Sequence, residues 1–163
     1  MVQVFAGALK TLPKLQALYV MDFTVTDSGL MDLATTLAEH NTSLEELAVV
    51  GAGSVTKNSF QVLSDAISNM ANLRNLTLGS KQVLNPDILE AVFANLSKLR
   101  NLEVLDVSGY HAMHTEYARV LINSVVRSDL PKLRKVVLRC VEPSAGEELR
   151  SHFEEGVGWL VTV

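Results

Sequence analysis

Two imidazoles and a carboxylate stand close together in the run Tyr110, His111, Ala112, Met113, His114, Thr115 and Glu116, residue types that could gather around a zinc ion. The spacing argues against a site. A His-x-x-His pair outside a helix has no fixed geometry, and no motif sets a third ligand, so the run reads as a polar loop between a strand and its helix. Cys140 is the one thiol, and the guanidinium of adjacent Arg139 would raise its thiolate fraction. No base accompanies it, and neither a nucleophile elbow nor a catalytic-cysteine signature is present. Gly51 and Gly53 lack the third glycine of a dinucleotide loop, and no phosphate-loop lysine motif occurs, so turn chemistry explains them better. His40 and His152 have no sequence-adjacent partner.

Lys132, Arg134, Lys135 and Arg139 form a basic cluster that could take phosphate groups. An acidic stretch with Glu147, Glu148, Glu154 and Glu155 follows it, and no aromatics interleave with the bases, so nucleic acid is disfavoured as a partner. The sequons at Asn41, Asn75 and Asn95 carry weight only in a secreted chain. On these residues the chain is expected not to be an enzyme and to need neither metal nor cofactor.

The elements that position these residues repeat. Leu15, Leu18 and Val20; Leu44, Leu47 and Val49; Leu73, Leu76 and Leu78; and Leu102, Leu105 and Val107 share the form L-x-x-L-x-[LV], with Leu133, Val136 and Leu138 as a fifth copy. Successive copies start 29, 29, 29 and 31 residues apart, a phase kept while most other residues change. Within each copy apolar and polar residues alternate, the period of a short strand with one buried face. Between copies, Phe5/Leu9, Leu33/Leu37, Leu63/Ile67, Val92/Leu96, Leu121/Val125 and Leu149/Phe153 are spaced four apart, as on one face of a helix. Helix starts are expected at Asp27 or Ser28, at Asn58 or Ser59, at Asn85 before Pro86, at Thr115, and at Ser144 with Glu147 three residues on.

A strand then a helix every 28 or 29 residues, opening with L-x-x-L-x-L, resembles the long-repeat leucine-rich repeat proteins of ribonuclease-inhibitor type. Thr26 to Leu30, Leu33, Ala34, Leu37 and Asn41 to Leu44 are similar to that subtype's helical half. The resemblance implies an α/β fold: a right-handed leucine-rich repeat solenoid with a curved parallel sheet on the concave side and helices on the convex side. Five full repeats plus partial terminal repeats would form one domain over residues 1–163. One departure stands out. The family commonly carries Asn or Cys five residues after the second leucine, but Phe23, Ala52, Lys81, Tyr110 and Val141 occupy those positions, so no asparagine ladder is expected there.

The chain opens on a helix-like segment whose strand is missing, and Gly158 to Val163 reads as a sixth strand with nothing after it, so a piece of a longer solenoid, or association through exposed terminal repeats, is expected. Length, 48% hydrophobic and 20% charged residues, and a net charge of −4 fit an ordinary globular domain in water. No apolar run reaches the ~18 residues of a membrane span and no signal peptide is legible. With a single cysteine, the expected compartment is the cytoplasm or nucleus.

Residues flanking the buried leucines would stack into ladders on the concave face. The contact residues expected there are Tyr19, Met21, Glu46, Val50, Asn75, Thr77, Asp106, Ser108, Lys135 and Arg139. That face grades from apolar through polar to basic, which suits a protein partner. The resemblance therefore implies a non-enzymatic recognition module: a receptor sensor domain, a ubiquitin-ligase adaptor arm, an effector or an assembly subunit. Two alternatives carry less support: a GTPase activator resembling the Ran GTPase-activating protein, on fold analogy alone, and a structural subunit of a large complex.

Overall fold

Leucines and valines alternating with polar residues bury one side only if the backbone is extended, and in the computed structural model each copy of the motif runs into a strand. The structure describes residues 7–24, 26–52, 55–80, 86–107, 115–139 and 158–162. The strands are β1 (Ala17–Thr24), β2 (Glu46–Ala52), β3 (Asn75–Ser80), β4 (Val104–Asp106), β5 (Lys135–Arg139) and β6 (Gly158–Thr162). They lie side by side in chain order, and every neighbouring pair is parallel. Parallel neighbours need a crossover. The first four crossovers are helical: α1 (Asp27–His40), α2 (Lys57–Ile67), α3 (Pro86–Phe93) and α4 (Thr115–Arg127). Each helix packs against the next in sequence. The fold is α/β, a parallel sheet alternating with helices.

Leu18, Leu47, Leu76, Leu105 and Val136 stand opposite one another across five strands, all buried. Leu33, Leu37, Leu63, Ile67, Val92, Leu121 and Val125 join them from the helices in one apolar cluster. Burial of this order, ~1.5–3 kcal/mol per large aliphatic side chain, is what holds strand and helix together in each repeat. Leu96 is buried as its spacing predicts, but α3 has already ended and Leu96 opens a short 3-10 turn. Asn95 stands at that break, its amide donating to the Asp65 carboxylate at 2.8 Å on α2 rather than continuing a helix. Phe5, Leu149 and Phe153 lie outside the described residues.

Register is fixed at the entries of β2 to β5 by main chain. The carbonyl of Gln16 accepts from the N–H groups of both Glu45 and Glu46, at 2.8 and 3.0 Å. Those of Glu45, Arg74 and Glu103 accept the corresponding pairs one repeat later. A slip by one residue would break these bonds and turn every leucine toward solvent.

The helix starts correct the sequence expectation. Thr26 caps α1, its hydroxyl accepting from the Gly29 N–H at 3.2 Å, and Thr56 holds the cap position of α2 without a side-chain cap bond. Asp27 is not the cap. Its carboxylate accepts from the Thr56 N–H at 2.6 Å and from the Ser59 hydroxyl at 2.7 Å, so the first turn of one helix satisfies the start of the next. These two bonds hold the Asp27 carboxyl below its ordinary range, against a smaller opposing effect of burial.

Asp27→Ala is expected to destabilise the chain at neutral pH by about 1 kcal/mol, the size of a lost cap. Because the folded-state pKa is depressed, the wild-type advantage is complete above the unfolded carboxylate value of ~3.9 and vanishes as pH falls through the lower folded value. Urea unfolding of both proteins from pH 7 down to pH ~2 checks this, and a difference that does not narrow in acid would contradict the cross-repeat cap.

Candidate functional site

With the leucines turned inward, the alternate residues of each strand stand on the opposite face of the sheet. Parallel pairing aligns Ala17, Glu46, Asn75, Val104 and Lys135 in one row and Tyr19, Ala48, Thr77, Asp106 and Val137 in the next. A third row contains Met21, Val50 and Gly79. Nearly all the expected contact residues thus share one face. Ser108 lies outside the described residues; Arg139 pairs with Thr162 of β6, and its side chain is likewise not described.

Exposure along this face is uneven. Tyr19 and Met21 on β1 are 58% and 51% exposed, and Lys135 on β5 is exposed. Glu46, Val50, Asn75, Thr77 and Asp106 are half-buried, whereas Ala48, Gly79 and Val137 are buried. The Tyr19 hydroxyl donates to the Glu46 carboxylate, laying the ring across β1 and β2. That hydrogen bond, more than burial or the nearby charge, keeps the phenol protonated above the usual tyrosine value. Ala48, level with Tyr19 on the neighbouring strand, and Gly79, level with Val50, are small residues.

A further row, at the rim where β1 to β5 begin, is missing from the sequence reading. Gln16, Glu45, Arg74, Glu103 and Arg134 precede successive strands and alternate in charge after the first. The Gln16 amide donates to Glu45 at 3.4 Å, and Arg74 lies 3.8 Å from Glu45 and 3.6 Å from Glu103. Arg134 approaches the other Glu103 oxygen at 2.7 Å. Isolated exposed pairs contribute little, ~0.2–1 kcal/mol each, but here Glu103 is shared by two arginines and only 23% exposed. The signal was available, since the charges alternate in the same phase as the leucines.

Behind the rim, Lys132 donates to the Asn101 side-chain oxygen at 2.6 Å and Arg100 pairs with Asp129 at 3.1 Å. Arg134 thus pairs with Glu103 and Arg100 with Asp129, while Asp106 adds a carboxylate on the sheet face of β4. The Lys135 N–H donates to the Glu103 carbonyl at 3.1 Å, and its side chain is exposed.

Tyr110, His111, His114, Gly53, Cys140 and His152, and the acidic stretch after β5, lie outside the described residues; Glu116 is exposed in the first turn of α4. Among the described residues no three His, Cys, Asp or Glu side chains gather as metal ligands, and no helix is long and apolar enough to cross a membrane. On the helix side a groove of about 490 Å³ lies between α3 and α4, lined by Glu90, Ser97, Asn123 and Arg127 among others. A scan against protein-family models finds no match, and a search of curated proteins finds none either.

Proposed function

We propose that the chain is a right-handed leucine-rich repeat solenoid that acts as a non-enzymatic recognition module, taking a protein partner on the open face of its curved sheet. The chain-order parallel sheet, the helix-to-helix packing and the 29-residue phase support the solenoid. One observation carries the functional reading: Tyr19 and Met21 project more than half exposed from the sheet face, although neighbouring strands place buried or half-buried residues in the same rows. Among the described residues the other exposed large apolar side chains, Leu12, Met31 and Val126, are scattered over separate segments. Adjacent apolar exposure on a face that the core does not need marks an interface.

The pair Tyr19→Glu with Met21→Glu is expected to weaken partner binding by at least about tenfold while leaving the unfolding midpoint nearly unchanged. Affinity capture from host extract, followed by a titration of the retained protein, checks this with Met31→Glu as the helix-side control. Retention of one partner by wild type and control but not by the pair is the expected outcome. Equal retention by all three would remove the sheet face as the site.

A further inference from the structure

Beyond the sheet face, we infer that the chain associates head to tail with further copies of itself, the outer edge of β1 in one copy pairing in parallel with the outer edge of β6 in the next. β1 and β6 are the two ends of the sheet, and among the described residues neither has a strand on its outer side. An open edge is a row of main-chain donors and acceptors that another strand can satisfy.

The junctions inside the sheet show what satisfies the β1 edge. At each of them two consecutive N–H groups entering a strand donate to one carbonyl at the entry of the strand before. Glu45 and Glu46 donate to Gln16, Arg74 and Asn75 to Glu45, Glu103 and Val104 to Arg74, and Arg134 and Lys135 to Glu103. The positions 29 residues before Glu45 and Glu46 are Gln16 and Ala17. Both are exposed, and among the described residues no acceptor meets their N–H groups. Side chains tell the same story: Ala17 is exposed where Glu46, Asn75 and Val104 of its row are half-buried. Leu12 is 48% exposed, whereas Asn41, Met70 and Leu99, at the same phase in later repeats, are buried. The helix layer is already filled here, because the helical turn at residues 7–9 buries Leu9 in the core and the Leu9 carbonyl accepts from the Asn41 amide. The group that fits beside β1 is therefore a single parallel strand.

β6 of a second copy is such a strand. It lies parallel to β5, with Lys135 opposite Gly158 and Val136 opposite Trp159. Carried one step further, that alignment sets Gly158–Thr162 of one copy against residues 17–21 of the next. Trp159 and Val161 then stand at the register positions of Leu18 and Val20, and the two sheets become one. Because all the strands run the same way, a second β1 would approach only antiparallel and could not bring an entry carbonyl to Gln16 and Ala17. The contact uses a different edge on each copy, so it does not close at two chains but adds copies in series. Tyr19 and Met21 still point off the sheet face in this pairing, which does not rest on the recognition reading.

Light scattering of the full chain over about a hundredfold dilution tests this, and the mean mass is expected to climb past two chains as concentration rises. Ala17→Pro removes an N–H that faces away from β2, so the β1–β2 bonds stay in place while the edge loses a donor. That variant is expected to keep the mass of a single chain. Its β6 edge is intact, so in excess it is also expected to shorten wild-type assemblies. Ala17→Thr retains the N–H and is expected to associate as wild type does. Far-ultraviolet circular dichroism confirms that each variant is folded. Amide hydrogen exchange reads the same edge in the unaltered chain: the outward N–H groups of Ala17 and Tyr19 are expected to exchange more slowly as concentration rises. A single-chain mass at every concentration, a plateau at two chains, or association that survives Ala17→Pro would each overturn the pairing. If Ala17→Pro does not fold, exchange at Ala17 and Tyr19 that ignores concentration overturns it instead.

Discussion

Asn41→Asp is expected to destabilise the chain by about 3–5 kcal/mol, although it exchanges one amide nitrogen for an oxygen. Asn41 ends α1 with no exposed surface, and its amide nitrogen donates to the carbonyls of Leu12 at 2.8 Å and Leu9 at 3.2 Å in the preceding turn. Two acceptors at these positions fix which way the amide faces. Aspartate would set a carboxylate against both carbonyls in a place water does not reach, losing two donors and burying an unpaired charge. Its other oxygen finds no help, since Asn41 Oδ1 has no partner among the described residues even in the native protein.

The introduced carboxyl would be pushed above its unfolded pKa of ~3.9, so the deficit is full at neutral pH and shrinks as pH falls through the raised folded value. Asn41→Ala, which removes the donors without adding charge, is expected to lose less, about 1–3 kcal/mol. Urea unfolding at pH 7 and pH ~4 separates the two, and an aspartate deficit below about 1 kcal/mol would show that the Leu9 and Leu12 carbonyls are bonded another way.

That asparagine illustrates where sequence reasoning stops. The strands and their register were legible because two independent periods, alternation within a strand and 29 residues between strands, are carried by residue type alone. The family resemblance directs attention to the fifth residue after the second leucine of each copy, where Phe23, Ala52 and Lys81 stand, yet the asparagine that ties one repeat to its neighbour sits after a helix. Local capping rules favour Asp27 over Thr26 as a helix start, but its partners lie 29 and 32 residues away and no local rule contains them. Tyr19 and Lys135, at opposite ends of the sheet face, were legible as residue types on one face. Their difference from Ala48 and Val137 in exposure was not, because it depends on which side chains of adjacent strands cover one another.

Leu76→Ala carries the other large expected effect, a loss of about 2–5 kcal/mol. Leu76 is 2% exposed in β3, opposite Leu47 on one side and Leu105 on the other, both themselves buried. Removing its side chain opens a cavity whose walls are held from both directions and cannot collapse into it. Leu18 holds the same repeat position in β1 but is 7% exposed and has a described strand partner only in Leu47. If stability is a sum over neighbouring repeats, Leu18→Ala should cost roughly half as much, because one flank of the cavity can relax. Urea unfolding of both variants, with the exposed Leu12→Ala as a control expected to lose under about 0.5 kcal/mol, reads the gradient directly. Equal losses at Leu18 and Leu76 would mean that the strands do not behave as a nearest-neighbour array.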